Sequence, residues 1–269
     1  MSTTAYDPSI VESISSTLDL RAPNARALDA LARALKNADD GAELVADLAT
    51  GVGKIYIAGG LLDYLYETGV RNIVIITPGS TIQRKTLDNL RPGNPKYLRG
   101  LQSNPMVITL DDLDRGIVGD ELKNDNRLKV FVFTVQSLLR PDTKENRRAH
   151  RESEQVGPSI VNYLKAADDL IVIADEHHVY FSSTAKKFKA AITDLNPRAL
   201  IGLTATPHEA TPRESIVFHY PLADAIADGY VKIPVLVARA DGISDERTQL
   251  ADGVGMREAE VFEALHGRS

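Results

Sequence analysis

Two glycines and a lysine stand between an apolar run and a helical pattern in the first quarter of the chain. The stretch reads Ala-Thr-Gly-Val-Gly-Lys over residues 49–54 and follows the mostly apolar residues 44–48. Glycines let the backbone approach an anion closely, and the Lys54 ammonium supplies a point charge for β- and γ-phosphates. The N-terminus of the following helix adds backbone N–H groups. We therefore predict a phosphate-binding loop formed by Thr50, Gly51, Val52, Gly53, Lys54 and Ile55.

This loop departs from the common phosphate-loop pattern at two positions. Ile55 replaces the hydroxyl residue that usually follows the lysine and binds Mg²⁺, and Leu48 stands where the first glycine is expected. Taken alone, the loop is therefore a weaker indication of a nucleotide site than the full pattern would be. Two later stretches, residues 175–178 and 204–207, strengthen the interpretation.

Two adjacent carboxylates, Asp175 and Glu176, follow the clearest apolar run of the chain, Leu-Ile-Val-Ile-Ala at residues 170–174. In nucleoside triphosphatases a strand-end acid holds Mg²⁺, commonly through water, and an adjacent acid orients or deprotonates the attacking water. We assign the first role to Asp175 and the second to Glu176. The alternative is that both residues only cap the next helix. The phosphate loop upstream favours the catalytic interpretation.

His177 and His178 follow the two acids and raise the question of a metal site. Adjacent side chains point in different directions, and no further His or carboxylate follows at metal-ligand helical spacing. We expect instead that His178 makes a hydrogen bond to Thr204 or Thr206, which belong to the stretch Thr-Ala-Thr-Pro. The plainer alternative is that this stretch is only a strand end followed by a turn.

The sequence alternates strands with helices, and these elements must bring the candidate residues together. Predicted strands cover residues 44–48, 72–77, 106–109, 129–134, 170–174, 199–203 and 232–238. Predicted helices begin near residues 9, 23, 54, 80, 184, 221 and 257, and Ser80 is expected to cap its helix. This order predicts an α/β fold with a mostly parallel central sheet and helices on both faces. Ligands of such sheets bind beyond the carboxyl ends of the strands, where the candidate residues fall.

Composition limits the functional classes that the chain can belong to. The 269 residues carry a formal net charge of -6, include 43% hydrophobic residues and contain no cysteine. These values are typical of a globular protein, argue against a generic basic nucleic-acid binder, and exclude disulfides and thiolate metal sites. The sequence has no apolar run long enough to span a bilayer and no apolar signal core at its N-terminus. We therefore expect a cytoplasmic protein.

We divide the chain into a lead-in segment at residues 1–20, a main domain at 21–240, and a linker with a short helical tail at 241–269. Residues 140–158 are rich in charge and are expected to form an exposed insertion. Two glycines, Gly59 and Gly60, interrupt the helix after the phosphate loop. We interpret them as close packing of this helix on the sheet.

Five stretches occur in the order in which they stand in the first motor domain of a superfamily two helicase. They are Ala-Thr-Gly-Val-Gly-Lys, Thr-Pro-Gly-Ser-Thr, Val-Phe-Thr-Val-Gln-Ser-Leu, Ile-Ala-Asp-Glu-His-His and Gly-Leu-Thr-Ala-Thr-Pro. The chain resembles the DEAD/DEAH-box-like ATPases and is most similar to those that include the restriction (R) subunit of type III restriction enzymes. The resemblance covers roughly residues 20–240. It implies a RecA-like fold that binds ATP and Mg²⁺ and moves along, or remodels, nucleic acid.

The resemblance also implies roles for individual residues. The catalytic set would be Lys54, Asp175, Glu176 and His178, with Asp175 holding Mg²⁺ through water. Thr204 and Thr206 would couple hydrolysis to motion. The nucleic-acid backbone, DNA more readily than RNA, would be contacted by Pro78, Gly79, Ser80, Thr134 and Gln136. Such ATPases often read adenine with a glutamine that residues 20–24 lack, so the resemblance leaves adenine selectivity open.

We expect the N-terminal ATP-binding domain of a nucleic-acid-dependent ATPase, a DNA helicase or translocase that hydrolyses ATP by Mg²⁺-assisted in-line attack of water. No second set of motifs follows residue 240, so arginine fingers would come from a second motor domain or a partner subunit. The isolated chain would then hydrolyse ATP weakly. The alternative is a degenerate or truncated nucleotide- or DNA-binding module with little ATPase activity, which Ile55 favours. A metabolic P-loop kinase is disfavoured because residues 204–207 have no role there.

Overall fold

The structure, a computed structural model, describes residues 6–114, 122, 124–139, 160–181 and 185–232. The chain divides into two compact units, residues 1–231 and residues 232–269. Three predicted features lie outside the described residues apart from Lys232: the strand at 232–238, the helical tail and the exposed insertion.

Seven strands form one sheet in the described part of the chain, in the order β3-β4-β2-β5-β6-β1-β7. Every pairing between neighbouring strands is parallel. The strands are β1 (Ala42–Leu48), β2 (Asn72–Thr77), β3 (Met106–Ile108), β4 (Lys129–Thr134), β5 (Ile171–Asp175), β6 (Ala199–Thr204) and β7 (Ile216–Tyr220). The first six confirm predicted strands to within two residues. The sequence did not predict β7, whose side chains are mostly half-buried because it lies at an edge of the sheet.

Helices cover both faces of this sheet, which confirms the α/β class. They are α1 (Pro8–Thr17), α2 (Ala22–Asn37), α3 (Lys54–Glu67), α4 (Ser80–Leu90), α5 (Leu110–Asp114), α6 (Val135–Leu138), α7 (Ile160–Lys165), α8 (Ala185–Thr193) and α9 (Leu222–Ala227). One apolar core lies under α1, α2 and α3, and a second lies under α6, α7 and α8. Among the described residues, no helix combines the length and the apolar character that crossing a membrane requires.

Helix α1 lies in the lead-in segment and packs on the main domain. Its residues Val11 and Ile14, and Leu18 just after it, are buried in the same core as α2 and α3. The helix begins at Pro8, and the Asp7 side chain accepts a hydrogen bond from the Ser9 backbone N–H. A proline in the first turn and an aspartate cap are both favourable at a helix N-terminus.

The two glycines of α3 allow close packing, but the predicted partner is wrong. A Cβ atom at Gly60 would lie 2.9 Å from Cδ2 of Leu28, on α2. A Cβ atom at Gly59 would lie 2.8 Å from Cδ1 of Leu98, in the loop that follows α4. At these two glycines the helix is therefore pressed against another helix and a loop, not against the sheet. Since α3 follows the phosphate loop directly, this packing also fixes where that loop ends.

The strand register places the candidate residues at one edge of the sheet, as predicted. Asp175 pairs with Leu203, and Thr77 pairs with Thr134. Asp47, just before the phosphate loop, pairs with Thr204. Because all strands run in the same direction, their carboxyl ends meet at this edge.

A buried carboxylate ties the loop before β3 to helix α3. Asp63 is 1% exposed, and its two oxygens accept hydrogen bonds from the backbone N–H groups of Ser103 at 2.8 Å and Gln102 at 3.0 Å. Backbone donors of a buried loop need such acceptors, because an unpaired buried N–H group is costly.

We expect Asp63→Asn to lower the free energy of unfolding by about 1–3 kcal/mol, because one acceptor oxygen becomes an NH₂ group that faces a backbone donor. Urea denaturation followed by circular dichroism measures the change. Glu67→Gln, at an exposed position near the end of the same helix, is the matched control and should stay within about 0.5 kcal/mol of the wild type. Equal effects of the two substitutions would contradict the assigned role of Asp63.

Candidate active site

The phosphate loop runs from the end of β1 to the start of α3, and its two glycines have backbone conformations that other residues rarely adopt. The φ angles are 91° at Gly51 and 97° at Gly53. Side-chain sterics disfavour positive φ for residues other than glycine. The loop therefore turns sharply before Lys54, the first residue of α3, so that the N-terminus of this helix follows closely on the carboxyl end of β1.

Two residues outside the loop brace it, and sequence reasoning did not identify either. Asn24 of α2 is 1% exposed and donates from Nδ2 to the carbonyl oxygen of Val52 at 3.1 Å. The backbone N–H of Ala49 donates to the carbonyl oxygen of Tyr220 at the end of β7, at 3.0 Å. A polar residue near the start of a helix, Asn24, was the sequence signal that could have indicated the first contact. The second depends on a strand that was not predicted.

Lys54 and Glu176 meet across the edge of the sheet. The Lys54 Nζ atom donates to Oε1 of Glu176 at 2.8 Å, and the two side chains are 14% and 31% exposed. The phosphate loop and the acidic turn therefore lie within one hydrogen bond of each other. This arrangement places a cation beside a carboxylate that can accept a proton.

Asp175 ends β5 next to this ion pair. Burial raises the pKa of its carboxyl, the neighbouring Glu176 carboxylate raises it further, and the Lys54 charge lowers it in part. A divalent cation beside Asp175 would favour the charged form, because an opposite charge stabilises a carboxylate. Mg²⁺ is commonly held by one or two carboxylates together with waters and substrate phosphates. The donor set of Asp175 and the adjacent loop fits that mode of binding.

Glu176 has an unusual backbone conformation for a residue other than glycine. Its φ angle is 51°, in the left-handed region. A residue held there costs about 1–3 kcal/mol and persists only where its surroundings impose it. The short 3-10 helix His177–Phe181 follows directly, and the Val179 N–H donates to the carbonyl oxygen of Glu176 at 2.9 Å.

The hydrogen bond predicted between His178 and Thr204 is present. Nδ1 of His178 lies 2.9 Å from Oγ1 of Thr204 and 3.5 Å from Oε2 of Glu176. The same threonine oxygen accepts from the Thr206 backbone N–H at 3.2 Å. A continuous polar path therefore runs from Glu176 through His178 to the Thr-Ala-Thr-Pro stretch.

The residues assigned to nucleic acid lie at the ends of β2 and β4. Nε2 of Gln136 donates to the carbonyl oxygen of Pro78 at 3.1 Å, which joins α6 to the turn before α4. Ser80 is the first residue of α4, and Gly79 takes the capping position without a side-chain bond, so the predicted capping role of Ser80 is wrong. An open cleft of about 440 Å³ lies beside the turn and includes Ser80 and Thr134 in its lining.

Residues 17–209 match the family described as type III restriction enzyme, res subunit. No curated protein sequence matches the chain. The chain is similar to the ATP-dependent Type ISP restriction-modification enzyme LlaBIII bound to DNA, with a TM-score of 0.52 and 15% identity over 78% of this chain and 16% of that chain. This likeness shows a common fold.

Two further solved structures are similar to the chain. A nuclease-deletion mutant of the Type ISP restriction-modification enzyme LlaGI, in complex with a DNA substrate mimic, has a TM-score of 0.48 and 16% identity over 78% of this chain and 20% of that chain. The Sulfolobus solfataricus SWI2/SNF2 ATPase core in complex with dsDNA has a TM-score of 0.45 and 16% identity over 77% of this chain and 38% of that chain. The chain thus spans well under half the length of each of these proteins.

One carboxylate on the wall of the cleft fastens α5 to α4. Oδ2 of Asp112 accepts from Oγ1 of Thr109 at 2.7 Å and pairs with Nη2 of Arg91. Burial raises the pKa of this carboxyl, but the hydrogen bonds from Thr109 and the Arg91 charge outweigh burial and hold the pKa below its usual value. The charged form is therefore the one that the fold stabilises.

We expect Asp112→Asn to lower the free energy of unfolding by roughly 1.5–3 kcal/mol at neutral pH, as for hydrogen bonds to charged groups. A lowered pKa in the folded state contributes stability above the unfolded value of about 4 and loses it as the pH falls through the folded value. The difference between wild type and variant should thus shrink below about pH 4. Urea titrations from pH 3 to 8 test this expectation, and a difference that does not change with pH contradicts it.

Proposed function

The chain belongs to the family of the res subunit of type III restriction enzymes, and from this premise we propose that it is the ATP-binding motor domain of a DNA-dependent ATPase, a helicase or translocase. The observation that carries the proposal is the contact between Lys54 and Glu176. These residues are 122 positions apart in the sequence and meet at 2.8 Å at the carboxyl edge of a parallel sheet. A phosphate-binding cation and an acid that can orient the attacking water are two groups that hydrolysis of a nucleoside triphosphate needs in one place.

Residues 50–55 would bind the β- and γ-phosphates of ATP through the loop backbone, the N-terminus of α3 and the Lys54 ammonium. When Mg²⁺ is bound, it neutralises charge on the phosphate oxygens. Asp175 would hold that ion through water. Lys54 now pairs with Glu176, and its movement to the phosphates would release the Glu176 carboxylate. The freed carboxylate would orient the attacking water and accept its proton.

The polar path from Glu176 would link hydrolysis to movement. His178 lies between the Glu176 carboxylate and the Thr204 hydroxyl, and Thr206 bonds to the same hydroxyl through its backbone. A change in the position of Glu176 would therefore reach the end of β6 through two short contacts. We assign the coupling role to Thr204 and Thr206 on this basis.

DNA would lie along the edge formed by Pro78, Gly79, Ser80, Thr134 and Gln136. The bond from Gln136 to Pro78 supports this assignment, because it joins the two segments into one surface. LlaBIII, which shares the fold, was solved with DNA bound. Arginine fingers would come from a second motor domain or from a partner subunit. We propose residues 21–240 as the motor domain and residues 241–269 as the linker beyond it.

A second candidate function rests on Ile55. This side chain packs against the apolar core under α3 and has no oxygen to offer a metal ion. Mg²⁺ demands near-ideal octahedral oxygen coordination, so a water must replace the missing hydroxyl. The domain would then bind nucleotide and DNA but hydrolyse ATP slowly, as a degenerate module.

We expect Glu176→Gln to lower ATP turnover by about 10²- to 10⁴-fold, the range for loss of a general base, while nucleotide affinity is retained. Lys54→Ala should weaken nucleotide binding itself. Phosphate release with and without duplex DNA, and binding of a fluorescent ATP analogue with Mg²⁺, measure the two effects. Glu67→Gln is the matched control and should behave as the wild type. Failure of the wild type to bind Mg²⁺-ATP would overturn the proposed function.

We expect Ile55→Thr to raise Mg²⁺-dependent nucleotide affinity or turnover by at least about 10-fold, because the hydroxyl becomes a direct metal ligand. Ile55→Val is the matched control: valine has nearly the shape of threonine but lacks the hydroxyl. Calorimetry with Mg²⁺-ATP and phosphate release measure both quantities. If threonine and valine give the same values as isoleucine, Ile55 is not a defect and the degenerate-module interpretation loses its support.

A further inference from the structure

His177 takes part in none of the steps above, although it directly follows Glu176. Its side chain is 1% exposed, so it lies inside the protein, whereas the neighbouring Glu176 and His178 reach the edge of the sheet. The burial of this imidazole, next to a glutamate with a left-handed backbone conformation, therefore calls for a structural explanation.

The ring of His177 occupies the space of a missing side chain on β6. A Cβ atom on Gly202 would lie 2.6 Å from both Cγ and Cδ2 of His177, closer than real Cβ contacts allow. Gly202 is not among the glycines with positive φ, so its backbone conformation is open to any residue. Glycine is therefore required at this position for space, and the group that fills the space is the ring of His177.

Two further contacts surround the ring. Nε2 of His177 lies 3.0 Å from Oε1 of Glu43 on β1, and Oε2 of Glu43 pairs with Lys189 Nζ at 3.1 Å. The ring also meets the Tyr180 ring edge-on, with 6.3 Å between the ring centroids. Residues i and i+3 of a 3-10 helix lie above one another, so His177 and Tyr180 face the sheet together.

Tyr180 secures the far end of the same helical turn. Its hydroxyl oxygen lies 3.2 Å from the carbonyl oxygen of Ile76 and 3.1 Å from that of Asp175, near the ends of β2 and β5, and its one proton can be donated to either. Glu176 thus lies between the end of β5 and a short 3-10 helix whose side chains contact residues of β1, β2, β5 and β6. These contacts supply the constraint that a left-handed, non-glycine residue requires.

We propose that His177, seated on Gly202, is a positioning residue that holds Glu176 in its left-handed conformation and joins the Asp-Glu-His-His turn directly to β6. Strand β6 also carries Thr204. The Asp-Glu-His-His turn is therefore connected to the Thr-Ala-Thr-Pro stretch in two ways: through the packing of His177 on Gly202 and through the hydrogen bond between His178 and Thr204. The expected effect on ATP turnover rests on the proposed function. The packing of His177 on Gly202, and its effect on the conformation of residues 175–178, are independent of that function.

The test is a double-mutant cycle in the full chain with Gly202→Ala, His177→Ala and the double variant. Gly202→Ala should displace the ring, lower turnover by about 10- to 100-fold, as for misplaced catalytic groups, and leave Mg²⁺-ATP affinity unchanged. Deuterium exchange of residues 173–181 should rise. In the His177→Ala background, Gly202→Ala should have little further effect, because no ring remains to be displaced. Tyr180→Phe keeps the aromatic ring of residue 180 but removes its hydroxyl, and it should also raise deuterium exchange of residues 173–181.

Val130→Ala, at a buried position on β4 away from the turn, is the control for loss of stability alone. It should lower the melting temperature without changing turnover at a temperature where the protein is folded. Additive effects of Gly202→Ala and His177→Ala on exchange, or turnover that falls only in proportion to the unfolded fraction, would overturn the proposal. If the wild type does not bind Mg²⁺-ATP, the proposed function fails, while hydrogen exchange and melting temperature still decide whether His177 packs on Gly202 as proposed. If Gly202→Ala does not fold, His177→Ala and Tyr180→Phe carry the test, and unchanged exchange in both would overturn it.

Discussion

The ion pair between Lys54 and Glu176 depends on a sheet whose described strands all run in one direction. Lys54 follows β1 and Glu176 follows β5, and β6 separates these two strands in the sheet. Residues that follow parallel strands emerge at the same edge, so the loop after β1 and the turn after β5 can meet across β6. The end of β6 carries Thr204, which places the third motif between the other two. The strand order thus brings three distant stretches into one polar cluster.

The buried side of the cluster determines the geometry of its exposed side. Lys54, Glu176 and His178 are partly accessible, while Asn24 and His177, each 1% exposed, lie behind them. Asn24 braces the phosphate loop, and His177 fills the space above Gly202. A left-handed glutamate is costly, so the surrounding contacts must stabilise it by at least the same amount. The partly exposed polar groups at this edge of the sheet are therefore supported by buried residues behind them.

The sequence predicts the sheet well because long buried strands carry a strong local signal. The inner residues of β2 (73–76) and β4 (130–133) are continuously apolar, and both strands have the predicted bounds. The edge strand β7 contains a histidine and is mostly half-buried, so its pattern is too weak to separate it from a loop. Close contacts are harder to predict from the sequence than edge strands, because the helix and the loop that approach Gly60 and Gly59 are distant from them in the sequence. The same holds for the seat of His177 on Gly202, which no local pattern encodes.

A phosphate loop usually combines a phosphate-binding backbone with a metal-binding hydroxyl, and Ile55 stands where that hydroxyl is expected. The shape of the loop comes from its glycines, from Asn24 and from the backbone bond of Ala49 to β7, and none of these depends on the side chain of residue 55. Ile55 instead contributes to the apolar core under α3. A loop of this kind can keep its phosphate-binding backbone while giving up a metal-binding hydroxyl. The contacts that shape the loop backbone are therefore independent of the side chain of residue 55, which packs against the core instead.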